Sequence, residues 1–333
     1  MDKHEAWRGK RVLVTGAGGF IGSHLVEALV ASGASVTALV RYNGRGDVGM
    51  LAEIPKESRG AVRTVLGDVR DPFQVRTLVT GQDAVFHLAA LIGIPFSYEA
   101  PQTYVEVNVQ GTLNVLEAAR VAGGVRVIHT STSEVYGTAQ FTPITEEHPL
   151  QGQSPYSASK IGADAMADAY GRSFGVPVVT VRPFNTFGPR QSTRAVLPTI
   201  ITQALRGDVV RLGSTSPVRD MTYVSDTVRG FLMCGASDAC VGKVTNLGVG
   251  SGRTVGEMVE TVGAVLGKRL KVELGEERVR PEKSEVLKLI SDNSRARERA
   301  GWSPLVSFED GVRRLVEDIR THPHRHTVEG YHV

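Results

Sequence analysis

Two side chains suited to acid–base work lie four residues apart in Tyr156-Ser-Ala-Ser-Lys160, at the start of a stretch with helical composition. On a helix that spacing puts them on one face, one turn apart. An ammonium group beside a phenol stabilises the phenolate, so the pair can take a proton from a hydroxyl group. A second polar run, Ser131-Thr-Ser-Glu134, follows a β-branched segment ending at Thr130. Its hydroxyls, on Ser131, Thr132 and Ser133, can hold a substrate oxygen, and Glu134 offers a carboxylate for proton transfer. A third constellation, Val12-Leu-Val-Thr-Gly-Ala-Gly-Gly-Phe-Ile-Gly22, places Gly16, Gly19 and Gly22 between a strand-like run and a helical one. There Gly16 permits a tight turn, Gly19 lets the backbone approach a pyrophosphate, and Gly22 allows close packing of helix on strand.

These residues need a scaffold, and the periodicity supplies one. Strand-like runs at 11–15, 35–41, 62–66, 84–88 and 125–130 alternate with helical stretches, clearest at 20–31 and 101–122. Such alternation implies parallel βαβ units, and the near-continuous apolar strands imply a sheet covered on both faces. The expected fold is therefore α/β: a doubly wound parallel sheet of Rossmann type with a smaller mixed α/β C-terminal lobe. The segment 156–174 followed by 178–182 reads as one more repeat of the first unit. Division is expected as a dinucleotide-binding domain over 1–182, a substrate lobe over 183–320 with helices near 195–206, 224–236, 254–266 and 308–320 and with the chain free to cross back into the first domain, and a tail over 321–333. In doubly wound sheets ligands bind at the carboxyl ends of the strands, where the run ending in Glu134 falls.

In a Rossmann site for NAD an acidic residue usually ends the second strand. Here Arg41 stands there with Arg45 nearby, which tilts the expectation slightly towards NADP, although Arg41 can equally stack on the adenine of NAD. Asp68, ending the third strand, is a candidate acceptor for the adenine amino group.

Composition removes other classes of function. The 333 residues are 41% hydrophobic and 22% charged, with 38 basic and 35 acidic residues giving a net charge of +3, which fits a globular domain without an extended basic face for nucleic acid. Cys234 and Cys240 match neither a redox pair nor a zinc pattern. Four of the nine histidines, at 322, 324, 326 and 332, crowd into the tail outside any periodic pattern, and no metal site is expected. The charged N-terminus and the lack of any apolar stretch near ~20 residues lead to the expectation of a cytoplasmic, non-membrane protein.

Taken together, TGAGGFIG, the HLAA of His87 to Ala90, the NVQGT of Asn108 to Thr112, TSTSEVYG and YSASK resemble the extended short-chain dehydrogenase/reductase family, in its nucleotide-sugar 4,6-dehydratase group. The resemblance implies a tightly bound NAD(P) held by Gly16, Gly19, Phe20, Ile21, Gly22, Arg41, Asp68, Val69, Leu88, Ala89, Ala90, Asn108, Thr130, Tyr156, Lys160 and Pro183. It implies a nucleotide-sugar held by Ser97, Thr132, Asn185, Arg219 and Arg280, and a homodimer built through the helices at 101–122 and 156–174. Its catalytic set is Thr132, Ser133, Glu134, Tyr156 and Lys160. Sugar 4-epimerases of the family typically have no carboxylate at Glu134, so the resemblance favours dehydration. Glucose-type dehydratases have Asp-Glu where this chain has Ser133-Glu134, which leaves the acid at the leaving hydroxyl open between Glu134 and a water held by Ser133. Stretches at 42–47 and 182–190 resemble dehydratases of legionaminic-acid pathways, and Thr-Ser-Glu resembles GDP-mannose dehydratases. A UDP- or GDP-linked hexose, N-acetylglucosamine included, is the expected substrate class. The alternatives are a UDP-glucuronate decarboxylase, a 4-epimerase and a non-catalytic nucleotide sensor.

Overall fold

Residues 5–275 and 286–323 are described by the structure, a computed structural model. Its strands are β1 (Arg11–Thr15), β2 (Ser35–Arg41), β3 (Val62–Gly67), β4 (Ala84–His87), β5 (Arg126–Thr130), β6 (Val178–Pro183), β7 (Asn185–Phe187), β8 (Val209–Leu212), β9 (Val218–Tyr223), β10 (Val244–Leu247), β11 (Gly252–Thr254), β12 (Lys271–Leu274) and β13 (Lys288–Leu289). Seven of them form a parallel sheet in the order β10-β6-β5-β4-β1-β2-β3. Every residue of β4 is buried, as a strand covered on both faces requires.

One face of this sheet is covered by the helices Pro72–Val79, Gly111–Ala122 and Pro155–Phe174, the other by Phe20–Ala31 and Val224–Ala236. The glycine-loop helix Phe20–Ala31 packs on Val224–Ala236, a helix from the second half of the chain. That half is not confined to a separate lobe, because β10 pairs with β6 and extends the main sheet. The lobe itself is a small mixed sheet, with β9 flanked by antiparallel β11 and parallel β13 and β7, plus a parallel β8–β12 pair. One apolar cluster runs from Val12 and Leu25 through Phe231 and Leu247 to Trp302 and Phe308, so the two halves share a core.

The helix expected over 101–122 is continuous but not uniform. Val105–Gln110 is π-helical between Pro101–Tyr104 and Gly111–Ala122, and the widened turn contains Asn108. The Pro155–Phe174 helix starts where its chemistry dictates. Ser154 accepts from the Ser157 amide, Ser157 returns a bond to the Ser154 amide, and Pro155 occupies the first turn. This cap fixes the first turn that carries Tyr156.

Candidate active site

A cavity of about 1400 Å³ opens along the carboxyl ends of β1, β2, β4, β5 and β6. It exceeds what one drug-sized ligand fills and can hold a dinucleotide and a second nucleotide together. At one end the glycine loop is shaped by contact. Gly16 has φ +70°, and a Cβ there would stand 2.6 Å from the Ala89 amide nitrogen. A Cβ on Gly22 would stand 2.2 Å from the Gly16 carbonyl oxygen. Gly19 caps the Phe20–Ala31 helix without a side chain, leaving its first amides facing the cavity as an anion cradle.

Around this cradle, Phe20, Ile21, Arg41, Asp68, Val69, Leu88, Ala89, Ala90, Thr130 and Pro183 all line the cavity, as their expected cofactor roles require. Asp68 is also the partner of Arg70, whose guanidinium sits 2.7 Å away and holds the carboxyl below its ordinary range. Asn43 and Asp47 line the same end. Asn43 Oδ1 accepts from the Arg45 and Asp47 amides and Asp47 accepts from Gly49, which folds this loop towards the glycine turn, where the Met50 amide donates to the Gly18 carbonyl. Arg45, expected beside Arg41, does not line the cavity.

The catalytic candidates converge at the next strand ends. Tyr156, Lys160, Thr132 and Glu134 line one stretch of wall, with Tyr156 hydrogen-bonded to the Thr132 hydroxyl. Thr132 also caps the short turn Ser133–Tyr136 by accepting from the Glu134 amide, which aims Glu134 into the cavity. Lys160 is buried and donates to the Thr130 carbonyl at 2.7 Å, and burial brings its pKa down to about 8. The phenol of Tyr156 is held protonated above its ordinary range, first by burial and then by the negative charges of Glu134 and Asp164. Tyr104 stands edge-on to it, ring centroids 6.3 Å apart.

On the far side Asn185 and Arg219 line the cavity, and Asn185 Oδ1 is buried without a hydrogen-bond partner. A buried acceptor in that state is a place for a ligand donor.

Three expected contacts do not reach the cavity. Asn108 is buried behind its wall, where its amide bonds the Leu91 amide and carbonyl and the Ser159 hydroxyl, so it braces the Leu88–Leu91 segment rather than touching a ligand. Ser97 is fully buried and donates to the Ile94 carbonyl within its own helix. Ser133 is buried beneath the turn, while its neighbours Thr132 and Glu134 face the cavity. Arg280 lies outside the described residues. Arg194, one of three arginines that the sequence offered for a sugar carboxylate, lines the cavity, whereas sequence reasoning missed Ile92, Phe96 and Gln191, lining residues on segments after β4 and β7 that carry no periodic signal. Lining glycines and prolines beside them were the available hint.

The family model of GDP-mannose 4,6 dehydratase matches residues 13–315. The chain belongs to this family. It is thus a member of the extended short-chain dehydrogenase/reductases, in the nucleotide-sugar dehydratase group, and an enzyme using a nicotinamide cofactor. The chain is 35% identical over 320 residues to dTDP-glucose 4,6-dehydratase of Streptomyces griseus, covering 93% of this chain and 94% of that protein. It is 33% identical over 317 residues to UDP-glucose 4-epimerase of Mycolicibacterium smegmatis, covering 93% and 98%. Among solved structures it is similar to DesIV, a dTDP-glucose 4,6-dehydratase of Streptomyces venezuelae with NAD bound, at TM-score 0.84 and 33% identity over 94% of this chain and 98% of that one. Dehydratases and epimerases are thus both near. Among the described residues no helix is long and apolar enough to cross a membrane.

Proposed function

We propose that the protein is a nucleotide-sugar 4,6-dehydratase acting on a UDP- or GDP-linked hexose, N-acetylglucosamine being the first to try. The observation that carries this reading is Glu134 on the cavity wall beside Tyr156 and Thr132. An epimerase has no use for a second base at that point; a dehydratase does.

The residues then divide the work. Tyr156 must first give up the proton that burial holds on it; as the phenolate, stabilised by the positive charge of Lys160 on the shared helix face and by the Thr132 hydroxyl, it then takes the proton of the C4 hydroxyl. A nicotinamide cofactor, which the Gly16–Gly22 loop would hold by its pyrophosphate, would supply the hydride-accepting and hydride-returning capacity that oxidation at C4 and reduction at C6 need. The 4-keto group acidifies C5, and Glu134 removes that proton. Because Ser133 is buried off the cavity, Glu134 also delivers the proton to the departing C6 hydroxyl, which leaves as water. The proton kept on Tyr156 balances the one that re-enters at C5.

For the cofactor, Asp47 changes the balance that Arg41 alone suggested. A carboxylate beside Arg41 can accept from ribose hydroxyls and repels a 2′-phosphate, which favours NAD over NADP, in keeping with the NAD bound to DesIV. Mass spectrometry of the cofactor released on denaturation tests this; NADP as the resident species overturns it.

Incubation with UDP-, GDP-, dTDP- and CDP-sugars, followed by mass spectrometry, tests the reaction itself. Loss of water without net cofactor reduction is expected. An isomer of unchanged mass overturns the assignment in favour of an epimerase. Loss of carbon dioxide overturns it in favour of a decarboxylase, a second reading kept by Arg194, a cavity-lining cation able to meet a sugar carboxylate. Arg190 and Arg253 are instead engaged with Glu27 and Glu309. A homodimer through the 101–122 and 155–174 helices is also proposed; the apolar side chains Val105, Val121 and Phe174, exposed on those helices, support it. Light scattering giving a monomer mass would remove it.

A further inference from the structure

Asp164 lies one turn beyond Lys160 on the Pro155–Phe174 helix and, like it, is buried. It does not line the cavity, yet its carboxylate gathers donors from two strands and from the catalytic loop. Oδ1 accepts from His129 Nε2 of β5 at 2.8 Å. Oδ2 accepts from the Ser131 hydroxyl at 2.6 Å and from Nε and Nη2 of Arg182 on β6 at 3.2 and 2.9 Å. Ser131 immediately precedes Thr132, which bonds Tyr156. Lys160, for its part, spends its contact on a carbonyl, that of Thr130, rather than on a carboxylate.

We propose that Asp164 is a positioning residue for the reaction: it locks the helix bearing Tyr156 and Lys160 to the Ser131–Glu134 loop, and it is the counter-charge that keeps the buried Lys160 cationic. The physical case has two parts. A buried Asp–Arg pair is weak evidence of stabilisation in itself, since desolvation offsets most of its attraction. This pair, however, sits where the two catalytic segments meet, and the Ser131–Asp164 bond joins them directly. A buried ammonium is neutralised unless an anion opposes desolvation, and Asp164, on the same helical face, is the group that does so.

The other charged or titratable groups facing Lys160 do not replace it. His87 of β4 and His129 of β5 are pushed down by burial and stay neutral. Arg182 of β6 adds positive charge, and Tyr156 is protonated. Glu134 belongs to the cavity wall and is committed to the chemistry. The inference rests only on Tyr156 and Lys160 oxidising a sugar hydroxyl, which dehydratase, decarboxylase and epimerase share, so a failed dehydratase assignment leaves it standing.

The test is trace acetylation of the holoenzyme with acetic anhydride from pH 6 to 10, with the Lys160 peptide quantified by mass spectrometry, because only the neutral amine reacts. The pH of half-reactivity should fall by about one unit or more in Asp164→Asn. As a charge change beside an unpaired Arg182 endangers folding, the double variant Asp164→Asn with Arg182→Gln is measured in parallel and should move the same way. Ser131→Ala keeps the carboxylate: it should leave the Lys160 midpoint in place but lower kcat about tenfold with KM little changed. An unchanged Lys160 midpoint in a folded Asp164→Asn or in the double variant overturns the counter-charge. Unaltered kcat in Ser131→Ala overturns the locking role.

Discussion

Glu134 and Thr132 share a turn, but the proposed chemistry asks different things of them. Glu134→Gln should abolish water loss, by ~10²-fold or more for loss of an acid–base group, while a transient reduced-nicotinamide absorbance survives, since removal of the C4 hydride does not need that carboxylate. Loss of the transient in a folded variant would sink the division of labour. Thr132→Val removes a hydrogen bond to the reacting phenol. It should slow turnover by roughly 10- to 100-fold, as for a bond to a charged group, and leave KM and the melting temperature nearly unchanged. At the other end of the cavity, Gly22→Ala would drive a methyl into the Gly16 carbonyl. That substitution should yield protein from which no cofactor is released on denaturation.

Between elements, the notable tie is that between the glycine-loop helix and the loop that follows β7. Arg190, at φ +67°, places its guanidinium 2.7 Å from Glu27, its amide donates to Asp318, and the preceding Pro189 carbonyl meets His24 Nε2 at 3.0 Å. Left-handed backbone at a non-glycine residue costs on the order of 1–2 kcal/mol and persists only where contacts impose it. Gln191 and Arg194 on this loop line the cavity, so the tie spans cofactor and substrate sides. His24 gives it a pH signature. Burial and Arg190 lower its pKa to about 4, against 6.5 for the free side chain. The folded state therefore binds fewer protons between those values; the contribution is fully present above pH 6.5 and is lost as pH falls towards 4. With its partial exposure allowed for, this amounts to about 2 kcal/mol. His24→Gln should lose less stability than the parent between pH 7 and 4.5 in urea titrations. Parallel curves would refute this account of His24.

At the scale of the molecule, the shared core predicts joint unfolding of the two halves. Trp7 donates to the Leu232 carbonyl and packs on Phe86, whereas Trp302 donates to the Asp226 carbonyl in the second half, and Asp226 caps the amides of Leu305 and Val306. With β10 in the main sheet, neither half completes its core alone. Fluorescence from the two tryptophans should report one transition in urea, and Trp302→Ala should lower its free energy by ~3–5 kcal/mol, the usual cost of emptying a large aromatic site. Two separated transitions would contradict a common core.

The sequence by itself determined the local devices. Alternating strands and helices, the Gly16–Gly22 turn and the four-residue Tyr156–Lys160 spacing are set by periodicity and backbone sterics over a few residues, and they appear in the structure at nearly the expected places. Tertiary structure alone decided which neighbours turn inward: that Glu134 faces the cavity while Ser133 does not, that Asn108 and Ser97 stand behind its wall, that Asp47 joins Arg41, and that Asp164 links helix to loop. Facing depends on caps and buried hydrogen bonds between segments as far as 51 residues apart, and those partners leave no periodic mark on the chain.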